Sequence, residues 1–375
     1  MKSPQVFTIV LVLLCVLLDP GQVSFAGRDK IPIVYSNQYD YDLFDFETHD
    51  HFTSKKYSQI VKNLVASNYF KPDAWQTPDK TNWQTLENDL KTVHSARYLS
   101  SINAFDPFAI LKDVFDFSKE ERTPSQEARL KQLSTQIAQG IVSAQYMGTG
   151  GTLKALELAL THPEHWAINL SGGYHHAGKA SASGYCVVAD AAAAIKSFLA
   201  QNKHQKVLIV DLDAHFGDGN APIFASERRV KIFDIYNEDI FPVWQLKKDN
   251  LKRKVDFDFP IESDTRGSLY LQTLKSELPS IIAKGGFSLI YYNAGTDVYE
   301  HDPLGSLSLS EQDIIERDEF VFRQARKARI PIFMALSGGY HEDMPDIVAN
   351  SIVNLISKGV ILTDSKPSER SQRKR

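Results

Sequence analysis

The chain has 375 residues, 43% of them hydrophobic and 23% charged, with a formal net charge of -4. That balance excludes a disordered or fibrous polypeptide and suits one large globular domain or two small ones. It also excludes the strong positive field that holds nucleic acid non-specifically, so no direct nucleic-acid binding is expected.

Residues 1–26 read as a secretory signal peptide, not as part of the fold. Lys2 precedes an apolar run over 6–18, and Pro20-Gly21 breaks it. Ser24-Phe25-Ala26 then puts small residues at the two cleavage-specifying positions. The run is short for a bilayer, so no membrane span is expected after signal cleavage. Of the two cysteines, Cys15 leaves with the signal and Cys186 has no intrachain partner. An exported chain without disulfides must draw its stability from core size, which about 350 residues can supply. The expected localisation is the periplasm or the cell exterior.

Apolar, β-branched runs recur at 31–35 (IPIVY), 166–170 (WAINL), 207–211 (VLIVD), 230–235 (VKIFDI), 287–292 (FSLIYY) and 330–336 (IPIFMAL), with a weaker, acid-alternating candidate at 254–259. Helix-like stretches lie at 54–67, 127–160, 189–201, 269–284, 311–327 and 343–357. Unbroken apolar strands alternating with helices predict a parallel sheet covered on both faces. No internal repeat or Pro/Gly/Ser linker divides the chain. The tail at 363–375, ending SKPSERSQRKR, is polar and basic and reads as a disordered, solvated terminus.

In such sheets ligands bind beyond the carboxyl ends of the strands. Those ends carry SGGYHHAGKASASGY (171–185), DLDAHFGDG (211–219), NAGTD (293–297) and SGGY (337–340). Asp211, Asp213 and His215 are spaced i, i+2, i+4, so in an extended chain all three point to one side. Such a group calls for a cation, and mixed Asp/His ligation suits zinc. A catalytic zinc takes three protein ligands, and Asp297 at another strand end supplies the third. Asp-x-Asp-x-His alone would serve equally well as a helix cap with surface polarity; the polar ends of the other strands favour the metal. Hydrolysis at a metal needs a base and an acid, and His175 and His176 offer imidazoles that titrate near neutrality. Asp211 and Asp218 are spare acids that could each hold one of those rings. Tyr340, after two glycines, could donate its phenol proton to a developing oxyanion.

Taken in order, GGYHHA and SGYC (172–186), VDLDAHFGDG (210–219), NAGTDVYEHDPLGSLSLS (293–310) and SGGY (337–340) resemble the motifs of the zinc-dependent histone deacetylases. IPIVYS (31–36) and VHSARYL (93–99) resemble that family's N-terminal pattern, and NAGTD and SGGY are most similar to its class IV branch. The resemblance covers essentially the whole mature chain. It implies a single three-layer α/β/α domain at 27–362 with a mostly parallel central sheet of about eight strands. It implies one zinc on Asp213, His215 and Asp297, with His176 as general base and acid and His175 as its electrostatic partner. Asp211 would orient His175, Asp218 would orient His176, and Tyr340 would polarise the scissile carbonyl. Gly184, Tyr185 and Phe241 match positions lining a narrow acyl-lysine tunnel, with Tyr185 where the family usually has phenylalanine. Near Asp234 and Ile235 the family often holds a structural monovalent cation with backbone carbonyls and Asp211; Asp234 stands where serine is common. Some class IV relatives carry asparagine at the position of Asp218, and the acid should favour a more basic His176.

The arginase-like enzymes share this fold but need a second acid two residues after the late aspartate. Here Val298 and Tyr299 follow Asp297, so a single zinc is preferred. The expected reaction is metal-assisted hydrolysis of an acyl-lysine protein or a small acylamine. Acetylpolyamines and long-chain acyl-lysine are the alternatives, and an acidic gate for polyamines would come from 40–50 (DYDLFDFETHD). A non-catalytic acyl-lysine reader ranks below these, because every position the chemistry needs is filled. The export reading predicts that N-terminal sequencing of the mature protein starts at Gly27; a chain that still begins at Met1 contradicts it.

Overall fold

The fold turns on apolar strands that bury both faces. In β3 (Val207–Asp211), Val207 and Ile209 enter one hydrophobic core while Leu208 and Val210 enter another. A strand with no polar face can lie only in the middle layer of three. The coordinates are a computed structural model, which describes residues 30–44, 55–104, 123–162, 164–243 and 255–361. Residues 1–26, read above as a signal peptide, the stretch at 363–375 and the acidic residues at 45–50 lie outside the described residues.

Seven strands form the sheet among the described residues, against an expectation of about eight. They are β1 (Ile33–Val34), β2 (Trp166–Asn169), β3, β4 (Val230–Asn237), β5 (Phe257–Ile261), β6 (Leu289–Asn293) and β7 (Ile332–Ala335). Their order is β1-β2-β7-β6-β3-β4-β5, and every neighbouring pair is parallel. The weaker candidate at 254–259 overlaps β5, a half-exposed edge strand that carries Pro260, as an edge permits.

The helices are α1 (Lys56–Ala66), α2 (Trp83–Leu90), α3 (Ala96–Asn103), α4 (Pro124–Thr161), α5 (Asp190–Gln201), α6 (Asn220–Phe224), α7 (Gly267–Gly285), α8 (Glu311–Ala328) and α9 (Met344–Ser357). One face of the sheet is covered by α2 to α6, through residues such as Leu90, Ile141, Ile195 and Phe224. The other is covered by α1, α7, α8 and α9, through Ile60, Leu274, Phe322 and Ile352. Start signals explain the helix boundaries. Thr123 and Gln126 close a capping box on α4 with proline at its first turn, and Ser310 and Asp313 do the same for α8. No described helix is long and apolar enough to cross a membrane.

The strand order decides where chemistry can sit. From β3 the chain proceeds outward through β4 and β5, then returns on β3's other side as β6 and β7. That reversal opens a crevice at the carboxyl ends of β3, β6, β7 and β2. All four polar segments leave the sheet there.

Candidate active site

At the end of β3, Asp213, His215 and, from the loop after β6, Asp297 offer ligand atoms that all lie within 4.8 Å of one another. All three are buried. His215 Nδ1 lies 2.9 Å from Asp297 Oδ2 and 3.2 Å from Asp213 Oδ1. The backbone fixes the carboxylates from behind. Gly338 N donates to Asp213 Oδ2 at 2.8 Å, His215 N to Asp213 Oδ1 at 2.9 Å, and Ala214 N to Asp297 Oδ1 at 2.9 Å. Gly338 permits this approach: a Cβ there would stand 2.3 Å from Asp297 Oδ2 and 2.7 Å from Asp213 Oδ2.

The electrostatics of this group call for a cation. Burial and the charge of Asp213 push the Asp297 carboxyl up to about 7. Burial opposes charge on His215, yet the Asp213 and Asp297 carboxylates raise it to about 10. With Asp213 held ionised, the charge of this buried group is relieved only by the protons on His215 and Asp297. Two hard oxygen donors and one nitrogen, all on one side, are the donor set of a divalent ion such as zinc.

The two histidines are braced by different acids. His175 Nδ1 lies 3.0 Å from Asp211 Oδ2, and His176 Nδ1 lies 2.5 Å from Asp218 Oδ1. Their rings are 4.1 Å apart, and the His176 ring is 5.9 Å from that of His215. The environments push them in opposite directions. Burial would lower His175, but Asp211 and Asp213 raise it to about 10. Burial and the neighbouring His175 lower His176 from 6.5, against the pull of Asp218. One imidazole is held charged and the other neutral, the division of labour a proton-transfer site requires.

The remaining predicted residues line the approach. The Phe241 ring stands 5.0 Å from His176 and 6.3 Å from His215. Tyr185 stands 5.5 Å from Tyr340, whose ring is 6.2 Å from His215. Gly184 has φ +50° and a Cβ there would meet His176 at 2.4 Å, so a side chain would displace that ring. Tyr185 and Ser337, both non-glycine, sit at φ 61° and 56°, strain that surrounding contacts must maintain. Of the residues named from the sequence, His175, His176, Gly184, Tyr185, Asp213 and Tyr340 line one cavity, and Asp211, Asp218, His215, Asp297 and Phe241 stand against them.

Other contributors carry no motif of their own. Asn293 donates to Asp211 Oδ1 at 2.9 Å and to Ser337 Oγ at 2.8 Å, tying the β6 end to the β3 and β7 ends. Asp190 accepts from Gly173 N at 3.0 Å and Tyr174 N at 2.8 Å, fixing the loop that presents both histidines. Buried Arg317 donates to Leu212 O at 3.1 Å and Gly295 O at 2.6 Å, clamping together the two loops that carry Asp213, His215 and Asp297. The position of Asn293 inside NAGTD and of Asp190 in the first turn of α5 were the available signals. Arg317 gives none, because beyond its neighbour Asp318 its partners are backbone carbonyls far along the chain. Asp234 Oδ1 is buried with no partner among the described residues, and burial and Asp211 push its carboxyl well above the usual range. That orphaned oxygen fits a second, structural cation beside Asp211. The acidic stretch does not supply a gate in the part that is described. Asp40 caps α1 by accepting from Tyr57 N and Ser58 N, and Asp42 accepts from Phe44 N.

The histone deacetylase domain model matches residues 50–356. The chain is 33% identical over 336 residues to Histone deacetylase 2 of Arabidopsis thaliana, covering 89% of this chain and 81% of that protein. It is 24% identical over 321 residues to the acetoin utilization protein AcuC of Staphylococcus aureus, covering 83% and 77%. Histone deacetylase 8 of Xenopus tropicalis is 27% identical over 210 residues, 55% of each chain.

The opposed histidines make a pH prediction. His175 is raised from 6.5 to about 10, so the stability it brings is full below pH 6.5 and is lost as pH rises through about 10. In protein stripped of divalent ions, Asp211→Asn should flatten that alkaline loss, and NMR should find His175 charged at pH 7.5 in the wild type only. A neutral wild-type His175 at that pH contradicts the assignment.

Proposed function

This chain belongs to the histone deacetylase family, and on that footing we propose that it is a zinc-dependent amidohydrolase that removes acetyl or longer acyl groups from lysine side chains. The observation that carries this reading is the junction of a buried Asp-His-Asp group with two histidines, each held by its own aspartate. An acyl-lysine reader would need a pocket, but not that division of charge.

Asp213, His215 and Asp297 would hold the zinc, which when bound supplies a Lewis acid for the acyl carbonyl and acidifies water. His176, kept neutral by burial and His175, accepts the proton of the attacking water at the imidazole nitrogen not engaged by Asp218. It then returns that proton to the leaving lysine amine. The tautomer this needs is fixed by Asp218, which accepts a hydrogen bond from the Nδ1–H. His175, held charged by Asp211, adds a positive field where negative charge develops. Tyr340 donates a hydrogen bond from its phenol O–H to the carbonyl oxygen. Gly184, Tyr185 and Phe241 leave room for a thin aliphatic chain and exclude water from it.

Acetylpolyamines are the second reading; of the acidic stretch at 40–50, the described Asp40 and Asp42 accept from local backbone amides. The orphaned Asp234 oxygen supports a structural monovalent cation beside Asp211. A signal peptide at 1–26 would place the enzyme among exported proteins, where the substrate is an exported acyl-lysine protein or acylamine.

On an acetyl-lysine peptide, Tyr340→Phe should slow turnover by roughly two to three orders of magnitude, the loss expected for one oxyanion donor. Zinc content should be unchanged, and a chelator should abolish the wild-type rate. A Phe variant near the wild-type rate sinks the mechanism.

A further inference from the structure

Gly184 and Tyr185 are the central pair of a tight turn. Ser183 and Cys186 exchange backbone hydrogen bonds across it, 3.0 Å from Ser183 N to Cys186 O and 2.8 Å from Cys186 N to Ser183 O. Both central residues have positive φ, 50° at Gly184 and 61° at Tyr185. That is the pattern of a type I′ turn, whose central positions favour glycine, asparagine and aspartate. Glycine suits the first position. A bulky aromatic at the second is strained, and strain of this kind persists only where the surroundings enforce it.

Gln145, in the middle of α4, supplies that enforcement. It is buried and lines the catalytic cavity. Its Nε2 donates to Tyr185 O at 2.6 Å, and its Oε1 accepts from Val187 N at 2.7 Å. One planar amide thus bridges the backbone on both sides of Cys186, pairing with it as a neighbouring strand would. Other bonds fix the flanks of the segment. Tyr98 donates to Val187 O at 2.7 Å, Ser95 N to Lys179 O at 2.8 Å, and Ala189 N to His94 Nε2 at 3.0 Å. Gln145 reaches the strained residue itself. The turn it holds is a wall of the approach: the Tyr185 ring stands 5.5 Å from that of Tyr340, and a Cβ at Gly184 would stand 3.0 Å from Phe241 Cε1.

We propose that Gln145 is a positioning residue for substrate: it holds Tyr185 in the left-handed conformation and so sets the width of the passage for the aliphatic chain. This rests on the reading of Gly184, Tyr185 and Phe241 as the wall of that passage. Gln145 acts through the turn, and makes no bond to the zinc-ligand candidates, His176 or Tyr340 in this account.

The test compares zinc-loaded wild type with Gln145→Met, Gln145→Asn, Tyr185→Ala and Gln145→Met/Tyr185→Ala. The readouts are kcat and KM on an acetyl-lysine peptide, zinc content, Tm, and the dissociation constants of acetohydroxamic and octanohydroxamic acids. The two probes share a metal-binding group, but the longer one also sends an alkyl chain along the passage. Gln145→Met should raise KM and weaken octanohydroxamic acid by roughly fivefold or more, because the chain loses apolar contact. Values of kcat should stay within about threefold of wild type, and acetohydroxamic acid affinity within about twofold. Asn keeps an amide but is one methylene too short to span both backbone groups, so it should show the same split, and it stands in if the Met variant does not fold. In the Tyr185→Ala background, Gln145→Met should add less than about twofold. Met and Asn variants that bind octanohydroxamic acid within about twofold of wild type, that weaken both probes equally, or whose effect adds fully to that of Tyr185→Ala, overturn the proposal. If Tyr185→Ala itself leaves octanohydroxamic acid binding unchanged, the reading of the turn as a wall fails and the proposal falls with it; if wild type binds neither probe, it is the zinc site that fails.

Discussion

Two carboxylates and an imidazole meeting in a dry interior are the constraint from which the rest of this structure follows. Asp213, His215 and Asp297 are buried at the ends of two adjacent strands, with their ligand atoms within 4.8 Å of one another. Left to themselves they must share protons to relieve the charge, as the raised Asp297 and His215 record. A cation resolves the conflict, and the surroundings are built for one arrangement of it. Backbone amides of Ala214, His215 and Gly338 hold the carboxylates, and Arg317 ties the two ligand loops together from below. Around that group stand His175, held charged by Asp211 and Asp213, and the Tyr340 ring, 6.2 Å from that of His215.

Much of the architecture is legible in the chain because parallel strands buried on both faces leave an unambiguous mark. VLIVD and FSLIYY have no polar face to offer water, and each is followed at once by acids, Asn or Gly. The helices between them are amphipathic or capped, so their limits lie close to those read from the pattern. The helices α2, α3 and α6 are short and lie outside the stretches with clear periodicity. Strand order is not contained in any local pattern; it comes from β6 and β7 inserting between β2 and β3.

The same distinction holds at the candidate site. Residues within motifs could be named because spacing along one strand end fixes their direction: Asp211, Asp213 and His215 are two apart. The pairing of Asp211 with His175 and Asp218 with His176 follows from supply and demand for tautomers, and the distances of 3.0 and 2.5 Å accord with it. Lys56 and Arg317 could not be named, since what defines each is a contact across the fold. Lys56 and Gly339 are 283 residues apart. A lysine in THDHFTSKKYSQ looks like a solvated helix start, and only the packing of α1 against α9 and the SGGY loop buries it.

The central claim is that the buried Asp-His-Asp group exists to hold one zinc ion. Titrating zinc into metal-free protein by calorimetry, with elemental analysis of the product, tests it most directly. The account predicts one tightly held zinc per chain, released protons on binding, and loss of the site in Asp297→Ala and His215→Ala. No tight zinc site, or a stoichiometry unchanged in those variants, would contradict it.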